Sequence, residues 1–425
     1  MSHWFHRNPL KATAKVSFDL KMVASNTAAR QLTSDATNKR NKLLDMLADP
    51  NLSVSIVEEA ANQYLSLLVG FIHGPETGTD SSKIRHALKF KWTDSLQLKG
   101  EQPAFQADAQ FELICMLTNL ALWYTKHAAK LSASEKVGME DAKEVHKCLR
   151  IAAGIFKEVK ENQLQKLIQK DNIGTDFDDR VVDAYVNQCS AEAQEVTMAR
   201  AIELEHSHSI VASLASDTAR MFKTAELALS TMDDRKVLKW RKYLTFKYCC
   251  YQAYAYSYHG EGLLKVDKCG EAIACLREAV KFYQKAEVAA AEYNKTTGPG
   301  MTVRPEQHLF FRKLGPHVRM TLEKCERENG FIYHQNVPSE IPELELKPTF
   351  GLAAPENYQL PEINKLWTPE AYKGFDLTKM GVKSESEESK KAEEKEDKAP
   401  VQPVKEQPIY QSEKDPNNSS GCVVS

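Results

Sequence analysis

Between Pro103 and Pro299 this 425-residue chain has no proline at all, an interval of 195 residues. Proline removes a backbone donor and clashes inside helices, so a long proline-free tract rich in Ala, Leu, Glu and Lys reads as consecutive helices. Long hydrophobic runs are missing too. No stretch approaches eighteen apolar residues, which argues against a membrane-spanning helix, and the polar start from Met1 to Leu20 has no apolar core of a secretory signal. The nine cysteines are scattered without a C-x-x-C pair, a pattern that fits reduced thiols packed in a cytosolic protein. Excess charge is lacking as well. The net charge is −2, and no basic field points to nucleic acid.

Catalytic signatures are also missing. There is no phosphate-binding G-x-x-x-x-G-K-[ST] loop, no G-x-G-x-x-G, no H-E-x-x-H and no G-x-S-x-G elbow. His206 and His208 lie two residues apart, which places them on different helix faces, and no nearby cysteine completes a metal site. Asp176, Asp178 and Asp179 precede a helical pattern and read as ordinary capping and dipole compensation. The expectation is therefore a non-enzymatic chain with no metal and no cofactor.

Apolar spacing places helices at approximately 28–48, 53–73, 102–131, 140–160, 177–206, 207–230, 235–264, 267–293 and 304–328. Val145, Leu149, Phe156 and Val159 share one face of the fourth. Long helices with short connections predict a mainly α fold, a solenoid or elongated bundle. The segment Trp240–Tyr293 has the alternation of small and large residues of a tetratricopeptide-like hairpin, without a clean 34-residue repeat. Val16 to Leu20 alternates like a short strand, which predicts a small β-element within residues 1–20.

Ten of the seventeen prolines follow residue 330. Between Phe331 and about Lys379 they are interspersed with Phe350, Tyr358, Trp367, Tyr372 and Phe375, which suits an extended strap whose aromatics plug grooves between helices. The expected organisation is a domain over 1–380, with a helical body at 26–330 and the strap at 331–380. A charged, disordered linker over 381–421 follows.

The last four residues, Cys422-Val423-Val424-Ser425, form the C-a-a-X pattern for prenylation, and a terminal serine favours farnesyl on Cys422. One lipid chain gives only marginal, reversible binding, and no polybasic run supports it. From Lys383 onward seven lysines face ten acids, so anionic lipid repels the tail slightly. The expectation is a peripheral membrane protein retained where a membrane-bound partner holds it.

The helix at 207–230 carries two apolar stripes. Val211, Ala215, Ala219 and Phe222 form one, and Ile210, Leu214 and Met221 lie close to a second. The second stripe is either further core or an exposed groove for a partner's amphipathic helix. Lys143 and Lys147, one turn apart, would steer an acidic helix if they rim such a groove.

Three segments carry a resemblance: Ala193-Gln194-Glu195-Val196, Gly154-Ile155-Phe156-Lys157, and Asn329 to His334 followed by Val337-Pro338. With them the chain resembles the Bro domain family. Its opening from His3 to Leu10, the Phe90-Lys91-Trp92-Thr93-Asp94 segment and the prenyl ending are similar to a short member with a C-a-a-X box. The resemblance implies a boomerang-shaped helical domain with a tetratricopeptide-like core. Its concave side would bind the C-terminal amphipathic helix of ESCRT-III subunits, the charged multivesicular body proteins. It implies contact positions at Ile210 and Leu214 and groove lysines at Lys143 and Lys147. A position that is aromatic in a longer relative falls on Thr197, and an acidic one falls near Met139, beside Glu140 and Asp141. It further implies an ESCRT-associated adaptor at membranes, including the nuclear envelope, with a nesprin as a further partner. The alternative is a prenylated tetratricopeptide-like scaffold for a different peptide or cytoskeletal partner.

Overall fold

In the computed structural model the described residues are 6–14, 16, 18, 20, 23–75, 81–133, 137–169, 174–300, 309–344, 351–378 and 401–409. They form a helical body with helices α1 (Thr27–Leu47), α2 (Val54–Ile72), α3 (Ala109–Ser132), α4 (Met139–Glu158), α5 (Asp179–Glu203), α6 (His208–Ala228), α7 (Asp234–Leu264), α8 (Cys269–Lys295) and α9 (Leu309–Glu328). A short α10 (Pro369–Lys373) lies in the strap. From α3 to α9 each helix packs against its neighbours in sequence, which produces an elongated stack.

Caps set several helix starts. Asn26, Asp108, Asp178 and Asp233 each accept a backbone N–H of the first turn. The cap at Asp108 corrects the helix expected from residue 102. Residues Ala104–Gln106 are instead strand β2, paired antiparallel with β1 at Phe90–Trp92. Among the described residues of 1–20 no strand forms, and Thr13 makes an isolated bridge to Trp92. Val16, Phe18 and Leu20 are buried, so the alternation there reports burial of one side of an extended chain and not a sheet.

α3 and α5 run through the interior. Glu112 on α3 pairs with Arg40 at 2.7 Å and accepts hydrogen bonds from Tyr64 and from the indole of Trp92. On α5, Glu192 pairs with Arg7 and Glu195 with Lys247. Each of these carboxylates has a cation, and Glu112 and Glu192 have further donors, the condition for a tolerable buried charge. Asp176 corrects the capping expectation. It is buried, pairs with Lys11 at 2.7 Å and accepts from the Ser95 amide, while Asp178 is the residue that caps α5. The N-terminal segment is thereby fastened across the stack.

The strap runs extended over the helices. Trp367 is buried, donates from its indole N–H to the Leu67 carbonyl at 2.9 Å and meets Phe71 edge-on. Phe375 is buried beside it and Tyr358 packs against the core, whereas Phe350 lies outside the described residues. Glycines permit the close approach. A Cβ on Gly70 would collide with the Trp367 ring, and one on Gly154 with the Glu356 carbonyl. The linker expected over 381–421 is corrected in one stretch. Residues 401–409 lie against the domain, with Ile409 buried in the main core.

Candidate interaction groove

α4, α5 and α6 converge on an open cavity of about 450 Å³. α4 contributes Met139, Ala142, Lys143 and His146; α5 contributes Val196, Thr197, Arg200 and Ala201, with Leu204 just past its C-terminus; α6 contributes Ile210 and Leu214. These positions recur at three- and four-residue intervals, so one face of each helix is presented. His206 closes the α5–α6 end, and Leu352 of the strap closes the other wall.

The lining is apolar yet wet. Leu204 is 58% exposed, Met139 48%, Leu352 47% and Ile210 38%. Four large hydrophobic side chains clustered in one furrow are unlike the isolated exposed apolar residues common on any surface. Leu214 differs from the expectation that it meets water: at 4% exposure it forms the floor and belongs to the core. Its neighbours Val211, Ala215, Ala219 and Phe222 are buried, so α6 faces the core with one stripe and borders the groove with the next.

The rim is basic on the α4 side. Lys143 is exposed and pairs with Glu140 at 2.8 Å, a solvated contact of little energetic weight. Lys147 is exposed one turn further on, outside the cavity lining. Arg200 donates to Glu203 and reaches the Met139 sulfur at 3.4 Å, which links α5 to the start of α4. Burial and the charge of Arg150 push the His146 imidazole below its ordinary range, while a hydrogen bond with the Leu352 backbone works the other way. That contact and the Arg150–Glu356 pair at 2.9 Å hold the strap beside the groove.

The cavity thus brings together Lys143, Thr197, Ile210 and Leu214, and leaves Lys147 at its margin. Leu204, Arg200, His146 and Leu352 were not anticipated. Leu204 had a readable signal, a lone leucine inside the charged run Glu203-Leu204-Glu205-His206. Leu352 had none, because its position depends on the path of the strap. Cys422 lies outside the described residues.

One further cluster has metal-ligating side chains. His127, Glu144 and Cys148 place donor atoms within 4.8 Å of one another. Both ring nitrogens of His127 are already engaged, Nδ1 with the Pro50 carbonyl at 2.8 Å and Nε2 with Glu144 at 3.1 Å, and these contacts account for the cluster by hydrogen bonding. Burial pushes the Cys148 thiol well up, against the thiolate that a metal requires. His206 and His208 diverge, since His208 turns from the groove to pair with Glu261 at 2.9 Å.

Comparison with known proteins agrees with the helical architecture. Residues 16–375 match the family model of the BRO1-like domain. The chain is 52% identical over 379 residues to the BRO1 domain-containing protein BROX of Xenopus tropicalis, covering 89% of this chain and 92% of that protein. It is 39% identical over 434 residues to the BROX homolog of Caenorhabditis elegans, covering all of both. Among solved structures, the BRO1 domain of ALIX in a complex with CHMP4C superposes with a TM-score of 0.65 at 20% identity, covering 86% of this chain and 98% of that one.

Proposed function

This chain belongs to the BRO1-like domain family, and from that premise we propose that it is a non-enzymatic ESCRT-associated adaptor. The α4–α6 groove takes the C-terminal amphipathic helix of an ESCRT-III subunit, a charged multivesicular body protein. The observation that carries this reading is the furrow itself. Ile210, Leu204, Met139 and Leu352 offer apolar contact in water, with Leu214 as floor and Lys143 on the rim. An incoming helix with apolar residues at three- and four-residue spacing would bury its stripe there. Acidic residues on its flank would meet Lys143 and Lys147, which sets orientation more than affinity. The neighbouring ALIX complex, whose partner is CHMP4C, supports the same class of ligand.

The second element is a farnesyl group on Cys422. One lipid and one modest helix contact in the same chain give avidity for a membrane already coated with ESCRT-III. Action at the nuclear envelope, with a nesprin as further partner, belongs to this proposal as the setting in which such a coincidence detector works.

Calorimetry with ESCRT-III C-terminal peptides tests the groove. Ile210→Asp places a charge on its apolar wall and should weaken binding by at least about tenfold, or 1.4 kcal/mol. Ile210 is 38% exposed, so this variant should stay folded with only a small loss of thermal stability. Undiminished binding by a folded variant overturns the assignment.

A further inference from the structure

Lys126 lies in the middle of α3, and its side chain is 5% exposed. A lysine ammonium removed from water needs a counter-charge, and among the described residues its paired carboxylate is Glu406, at 2.6 Å. Glu406 belongs to the C-terminal tail, far along the chain from α3. Its other oxygen accepts the Leu10 amide at 2.8 Å. The next residue, Gln407, donates its backbone N–H to the Ala48 carbonyl at the end of α1, also at 2.8 Å. Three residues after Glu406, Ile409 is buried in the main core, and Val404 is partly buried against the same core. One extended segment thus supplies a charge, two main-chain-directed hydrogen bonds and two apolar anchors.

We propose that the domain contains a second peptide-binding site, separate from the α4–α6 groove, whose ligand is the chain's own segment 401–409. The site consists of Lys126, the Leu10 amide, the Ala48 carbonyl and the apolar seat of Ile409. It selects an extended peptide with a glutamate three residues before a branched apolar side chain. Charge complementarity identifies the occupant. Lys126 would lose the carboxylate paired with it if the segment left, and Glu406 satisfies both Lys126 and the Leu10 amide. The clasp also decides where the C-terminus leaves the domain. Cys422 stands thirteen residues beyond Ile409, which confines it to about 45 Å from this seat. Measured from Thr378, the last described residue of the strap, the 44 residues to Cys422 would allow about 150 Å. The binding site itself does not depend on lipidation or on the groove.

Hydrogen exchange on the full chain tests this. In the parent, amides of residues 401–409 should exchange at least about tenfold more slowly than in the full-length double variant Glu406→Ala, Ile409→Asp. A labelled synthetic peptide of residues 399–411 should bind the double variant in trans and not the parent, whose seat is occupied. The same peptide carrying Glu406→Ala should bind the double variant at least about tenfold more weakly. Equal exchange in parent and variant overturns the clasp, and equal peptide binding by both overturns the intramolecular occupant. Should the double variant lose its fold, Lys126→Met in the full chain provides the second reading. Its apolar side chain keeps the core filled, and faster exchange at Gln407 is then expected; unchanged exchange there rejects the Lys126–Glu406 contact. Binding of an ESCRT-III peptide to the same variants reports on the groove, so failure of either reading is distinguishable from failure of the other.

Discussion

Ile210 and Leu214 sit one turn apart on α6 and differ about tenfold in exposure, 38% against 4%. Leu214→Ala should therefore cost about 2–4 kcal/mol of stability, while Ile210→Ala should cost less than about half as much. Urea unfolding of the two variants checks the order, and equal losses would mean that the wall and the floor are not distinct. Aspartate at 214 would bury a charge, which makes Ile210 the cleaner probe of binding. Glu261 offers a pH test. Burial alone raises a carboxyl, but the hydrogen bond and charge of His317, then those of His208, hold Glu261 below its ordinary value of 4.5. A group depressed in the folded state adds stability that is complete above its unfolded value and disappears as pH falls through its folded one. Glu261→Gln should thus flatten the loss of stability below about pH 4.5, measured by denaturant midpoints across that range. A slope identical to the parent's would remove this pair from the acid response.

Helix positions were legible because amphipathic spacing and caps are local. α7, expected at 235–264, is found at Asp234–Leu264, and α4 begins within a residue of its expected start. The miss at 102–108 has an equally local cause: the Asp108 side chain accepts the Gln110 amide and starts α3 there, leaving the preceding residues free to pair with β1. Burial of Trp367 and Phe375 was legible from composition, but the seat of the strap was not. That seat rests on close approach at Gly70 and Gly154, and the missing Cβ has meaning only when the opposing segment is known. Gly154→Val should lift residues 351–356 off α4, breaking the hydrogen bond that the Glu356 N–H donates to the Arg150 carbonyl at 3.0 Å. Faster hydrogen exchange at Glu356, with Leu352 withdrawn from the groove, is the expected result; unchanged exchange would show that the backbone accommodates a side chain there.

At the scale of the whole molecule, the proposed groove and the proposed lipid act through linkage. One farnesyl chain beside a net acidic tail holds a membrane only marginally. Cys422→Ser should lower the membrane-bound fraction towards background on cell fractionation, and an unchanged fraction would take the lipid out of the account. The linear order of residues determined the helical class and the side of each helix that meets the core, because those properties depend on neighbours within a few turns. Tertiary structure alone decided that Leu214 is floor and Ile210 wall, that Leu352 joins them, and that Glu406 answers Lys126. Each of these depends on which distant segment arrives to exclude water, and no local pattern encodes that arrival.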